Sequence, residues 1–231
     1  GKRHYPTEQV GSQRPVRTPS EKAKDRKVLT SFAGIFTLLV FFWAIFDQAS
    51  STWVYFARDY LELYGMAPDM LQGLNPILVV ALTPLFANVW SWWGKRRNRE
   101  FSATNKMMIG FILVITCMVT MGVAGWMAVS SGVKVSGIWE MAAYVIITVA
   151  ELCISVVGLE MAYDKAPKHM KSTITAVFLF TVFVGNFLAG AMSAVYPHVN
   201  PGNYFMGLAA LMVVVAVIFR KVGKRFDAVN T

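Results

Sequence analysis

The chain is short of acids, histidines and cysteines, and each shortage removes a class of function. Thirteen Asp and Glu stand against 22 Lys and Arg, with only three His. His4, His169 and His198 fall in tails or connecting loops, so no membrane-embedded Ser–His pair and no His-ligated metal centre assembles from this chain. Cys117 and Cys153 both lie inside apolar runs, which leaves neither a disulfide framework nor a thiolate metal site. HExxH, a glycine-rich phosphate loop and G-x-S-x-G are all missing, so an enzyme is not expected and neither is a metal or cofactor. The opening, GKRHYPTEQV, has no start Met and no signal peptide's short apolar core, and it reads as part of a longer polypeptide.

What the chain has instead is long apolar runs. Of its 231 residues 55% are hydrophobic and 15% charged, and its mean hydropathy is +0.48, more apolar surface than a water-soluble domain of this size can bury. Six apolar segments, at about 28–57, 72–93, 105–129, 138–162, 171–195 and 203–221, have or approach the ~20 residues a helix needs to cross a bilayer. None alternates with period two, which excludes barrel strands. The expected fold class is therefore an all-α membrane protein with six transmembrane helices, residues 28–231 forming the bundle. Residues 1–27, polar and basic with Pro6, Pro15 and Pro19, read as a cytoplasmic linker.

The net charge of +9 would suit nucleic acid if the basic residues shared a folded polar face. They lie between the apolar runs, so nucleic acid is not an expected partner and the bilayer is. Lys and Arg crowd the amino-terminal tail, the second-to-third and fourth-to-fifth connections and the carboxyl tail, while the opposite connections hold only Arg58 and Lys134. This asymmetry places both termini in the cytoplasm, and the expected location of the multi-pass chain is the plasma (inner) membrane.

The stretch Tyr144–Glu160, YVIITVAELCISVVGLE, carries the sharpest functional signal. Glu151 sits mid-run, where a charge facing lipid costs ~2.5–3.5 kcal/mol on insertion scales. Tyr144, Thr148, Glu151 and Ser155 recur at helical spacing as one polar stripe, which must face protein or a wet cavity. In the first span, FFWAIFDQASSTWVYF, Trp43, Asp47, Ser50, Ser51, Val54 and Arg58 share a helical face, a combination suited to a polar ligand or a proton. Asn75 precedes Pro76 at the start of the second span and has the chemistry of an N-cap or of a ligand contact. In the fifth span Phe178, Thr181, Gly185 and Asn186 fall roughly on one side, and Asn186 is expected to bond between helices.

These segments, with NPILVVALTPLF, ELCISVVGLEMAYDKAP and FLFTVFVGNFLAG, resemble four successive landmarks of the proton-dependent oligopeptide transporters of the major facilitator superfamily. They match its carboxyl-terminal six-helix bundle in order and spacing over nearly all of residues 28–225. The resemblance implies a substrate site in which Glu151 receives a peptide's amino terminus, with Ser155, Asn75, Trp43 and Phe178 around it. It implies proton coupling through Asp47, which would pair with an Arg of the missing amino-terminal bundle, and an extracellular gate of Asp47 and Asp59. The partners implied are di- and tripeptides, protons and that other bundle, the driving force being the proton gradient. The chain departs from the family pattern at Val156, Glu160 and Phe178, and it lacks the first-helix E-x-x-E-R motif. Two alternatives accompany this reading: a porter for another substrate such as nitrate or an amino-acid conjugate, and a six-helix membrane scaffold that transports nothing.

Overall fold

A computed structural model describes residues 18–97 and 101–230. Among the described residues six helical spans are long and apolar enough to cross a membrane. Residues 1–17 of the expected linker lie outside the described residues, and residues 19–27 of the same segment are helical. Helix α1 (Pro19–Phe46) starts well before the expected boundary at residue 28. Its start is fixed locally: Thr18 Oγ1 accepts the Glu21 N–H, a Glu21 carboxylate oxygen accepts the Thr18 N–H at 2.9 Å, and Pro19 takes the first helical position. The polar first turns extend an apolar span without adding to its hydropathy, which is why composition hid them.

The first span is also not one continuous helix. It breaks at a 3-10 turn, Asp47–Ser50, passes through Ser51 at φ −135° and ψ −85°, and resumes as α2 (Thr52–Tyr60). The single face assigned to Trp43, Asp47, Ser51 and Arg58 therefore does not run across the break. Irregular backbone at this depth needs internal hydrogen bonds, because lipid supplies none. Gln48, wholly buried, provides them.

The chain continues through the two-residue strand β1 (Leu61–Glu62), helix α3 (Leu74–Arg97), α4 (Ala103–Ser131), the strand β2 (Val135–Ser136), α5 (Ile138–Asp164), α6 (Lys171–Ser193) and α7 (Pro201–Asn230). On the side remote from the termini β1 and β2 pair in parallel, Leu61 with Val135 and Glu62 with Ser136. The Gly137 N–H donates to Glu62 O at 3.0 Å, and Lys134 Nζ to Arg58 O at 2.8 Å. This distal cap ties the connection after α2 to the one after α4.

Packing divides the helices into two sets. α4 and α7 meet over their lengths, with the Phe111 and Phe219 rings 4.6 Å apart, Trp126 Nε1 donating to Asn203 Oδ1 at 2.7 Å and Thr104 Oγ1 to Asp227 Oδ2 at 2.6 Å. α1 fills the centre with Phe32, Ile35, Leu39 and Phe42. α3 behaves differently: 6% of its most apolar window is buried against 56% for α5, so it stands at the edge and touches the bundle mainly along α5. α6 likewise turns Phe180, Phe183 and Phe187 outward. The site lies where the edge helix α3 meets α5.

Candidate functional site

Glu151 is half-buried in the middle of α5. Asn75 Nδ2, from the first turn of α3, donates to Glu151 Oε2 at 2.9 Å and to Thr148 Oγ1 at 3.1 Å. The amide carries two protons, so one nitrogen serves both acceptors. Asn75 is thus inside the helix, not capping it, and its side chain is spent on α5. Thr148 Oγ1 donates in turn to Tyr144 O at 2.7 Å, and the Tyr144 hydroxyl reaches Ala49 O in the 3-10 turn at 3.0 Å. Three of the four members of the polar stripe therefore join α3, α5 and the broken first span in one hydrogen-bonded line. The fourth, Ser155, donates to Glu151 O at 2.8 Å and stays half-buried.

Asp47 opens the 3-10 turn and is half-buried too. Its carboxyl is near enough to Glu151 to act on it electrostatically. Two acids from separate spans thus share one neighbourhood with Asn75 between the helices. Asp59 is elsewhere, on the distal rim, held as a two-point ion pair by Arg58: Nε to Oδ1 at 2.7 Å and a terminal nitrogen to Oδ2 at 2.9 Å, both side chains largely exposed.

The two aromatic candidates lie in helix seams. Trp43, 6% exposed, packs its Cβ against Gly185 of α6 so closely that a side chain there would collide with it and with Val40 O. Phe178, 2% exposed, lays its ring over Gly158 of α5, where an added Cβ would fall 2.6 Å from Cε2, and meets Phe36 edge-on at 5.8 Å. Thr181 and Gly185 are buried on the same face of α6, whereas Asn186 is exposed.

Gln48 was not singled out from sequence, yet it organises the break. Nε2 donates to Ala44 O at 3.0 Å and Ala189 O at 3.2 Å, while Oε1 accepts from Thr52 Oγ1 at 3.0 Å, Ser193 Oγ at 3.1 Å and Tyr204 OH at 2.8 Å. The available signal was the crowd of hydroxyl and amide groups, QASST, inside an apolar span. No group of His, Cys, Asp and Glu that could hold a metal occurs among the described residues.

Six membrane-length helices among the described residues, with polar groups gathered on one broken span, define a multi-pass membrane protein. The profile of the POT family (PTR2) matches residues 8–206, and the chain belongs to that family. It is similar to the peptide transporter YePEPT of Yersinia enterocolitica subsp. palearctica, 28% identical over 172 residues covering 72% of this chain and 34% of that protein. The peptide transporter PTR2 of Saccharomyces cerevisiae is 27% identical over 197 residues, 80% of this chain and 32% of its own length. Among solved structures, the POT family transporter PepTSo superposes with a TM-score of 0.79 at 27% identity, over 92% of this chain and 44% of that one. The chain spans about a third of the length of these two curated relatives.

Proposed function

We propose that this chain is the carboxyl-terminal half of a proton-coupled di- and tripeptide symporter working by alternating access. The observation that carries the reading is the half-buried Glu151, oriented by Asn75 and within electrostatic reach of Asp47. A carboxylate in such a partly desolvated position holds an ammonium by a charge-assisted hydrogen bond, stronger there than in water. Glu151 receives the peptide's amino terminus, with Ser155 and Asn75 beside it, and Trp43 and Phe178 shape the site from behind, out of the α1–α6 and α5–α6 seams. Asp47 takes the proton and, when ionised, pairs with an Arg of the other bundle. A nearby cation favours its charged form and burial its neutral one, which is the alternation coupling requires. The ion-paired Asp59 serves the extracellular gate.

The bare edge of the bundle, α3 and the outward face of α6, suits packing against a second bundle around a midplane site. The Lys and Arg distribution supports cytoplasmic termini, and the plasma membrane is the proposed location. The test is uptake of labelled di- and tripeptides into proteoliposomes carrying the intact protein, with and without an inward proton gradient. Gradient-driven peptide accumulation, competed by peptides and not by nitrate, is expected. Accumulation of nitrate or an amino-acid conjugate alone, or no solute movement, contradicts the reading.

A further inference from the structure

Glu140 belongs to none of the groups above. It lies in the first turn of α5 and is 0% exposed. Neither carboxyl oxygen has a hydrogen-bond partner among the described residues, and neither of the ion pairs found there involves it. The titratable groups near enough to interact with it are Cys117 on α4, Tyr144 one turn further along α5, and Tyr196 in the 3-10 turn Tyr196–His198 before α7. Tyr196 is in turn within reach of Asp59 and Tyr60 at the end of α2. None of these supplies a positive charge. The Cys117 thiol already donates to Ala143 O at 3.3 Å and the Tyr144 hydroxyl to Ala49 O, so neither is directed at the carboxyl. Three residues before it, at the start of α5, the Gly137 N–H donates to Glu62 O of the distal cap, whose Leu61 and Leu63 are buried.

An ionised carboxylate fully removed from water, without cation or donor, loses far more than the start of a helix returns to an anion. A neutral acid escapes that loss. We propose that Glu140 is a proton-binding site, a carboxylic acid sealed beneath the distal cap that gives up its proton only when the cap opens to water. The closed cap then binds one proton more at this position than the open cap does. Closure is favoured at low pH, and rising pH shifts the balance toward opening by up to about tenfold per pH unit. This holds whichever substrate the protein carries, because it uses neither Glu151 nor Asp47.

The experiment is hydrogen exchange with mass-spectrometric readout on the intact protein in lipid nanodiscs, corrected for the intrinsic pH dependence of exchange. Protection of the cap backbone, residues 61–71 and 133–137, is expected to fall with rising pH in the wild type and to be independent of pH in Glu140→Gln, which keeps shape and neutrality. Infrared spectra should contain a neutral-acid carbonyl band that Glu140→Gln lacks. Should that variant fail to fold, modification of the wild type by an apolar carbodiimide, located by peptide mapping, still decides the matter, since the reagent attacks protonated carboxyls in apolar surroundings. Modification at Glu140 supports the proposal. No neutral-acid band lost, no modification of Glu140, or the same pH response in both proteins overturns it.

Discussion

Asn75 Nδ2 donates across the α3–α5 seam to Glu151 Oε2 at 2.9 Å, so the helix least embedded in the bundle is anchored to the one acid in the middle of α5. The same nitrogen also donates to Thr148 Oγ1, so α3 is tied to α5 at two successive turns. That link makes the pair more than a local contact and gives the first prediction.

Replacing Asn75 by Ala frees the carboxylate and leaves Thr148 and Glu151 without their shared donor. A hydrogen bond to a charged group is worth about 1.5–3 kcal/mol, and about 1.4 kcal/mol is tenfold in affinity. Dipeptide affinity of Asn75→Ala is expected to fall by about tenfold or more, measured by equilibrium binding to purified protein. An affinity within twofold of wild type removes Asn75 from the site.

Gln48→Leu strips Thr52, Ser193 and Tyr204 of their common acceptor. Thr52 keeps the Gln48 backbone carbonyl and Ser193 keeps Ala189 O, so the loss falls chiefly on Tyr204, and a buried polar group left without a partner costs about 1–3 kcal/mol. Thermal unfolding in detergent should show a clearly lowered midpoint, and Gln48→Glu, which retains the acceptor, should recover part of the loss. An unchanged midpoint for Gln48→Leu contradicts the role given to Gln48 in holding the break.

Glycines of α5, α6 and α7 divide sharply. Gly158→Ala and Gly185→Ala drive a methyl into Phe178 and Trp43, so both should lower the unfolding midpoint and transport. Gly207→Ala meets nothing within 4 Å and should leave both unchanged. Equal effects of all three refute the tight α1–α6 and α5–α6 seams.

Asp47→Asn should abolish gradient-driven accumulation while sparing peptide exchange down its own gradient, both read in the same proteoliposomes. Equal loss of the two activities points to a binding or folding defect and against proton coupling at Asp47.

Reading the residues in order reached the helices and Glu151 because both signals are local: apolar length, and one charge in its midst. The polar stripe of α5 was legible for the same reason, since Tyr144, Thr148 and Glu151 keep helical spacing whatever surrounds them. The break at Asp47–Ser50 was not, because groups distant in the chain, Ala189, Ser193 and Tyr204, satisfy it. Gln48 escaped notice as an uncharged neighbour of Asp47. Glu140 escaped because an acid in a helix's first turn ordinarily meets solvent and the helix dipole, whereas here groups distant in the chain, Cys117 and Tyr196 among them, crowd a wholly buried side chain. Phe178 and Trp43 share the converse problem: residue type marks an aromatic wall, but not how deeply a facing glycine lets it sink.

The central claim is that Glu151 holds the amino terminus of a peptide, and a double comparison tests it most directly. Binding of a dipeptide and of its N-acetylated form is measured on wild type and on Glu151→Gln, with folding checked by unfolding midpoint. The account predicts that acetylation weakens binding to the wild type by at least about tenfold, the value of one charge-assisted bond, and has little further effect on Glu151→Gln. Equal discrimination against the acetylated peptide by both proteins contradicts it.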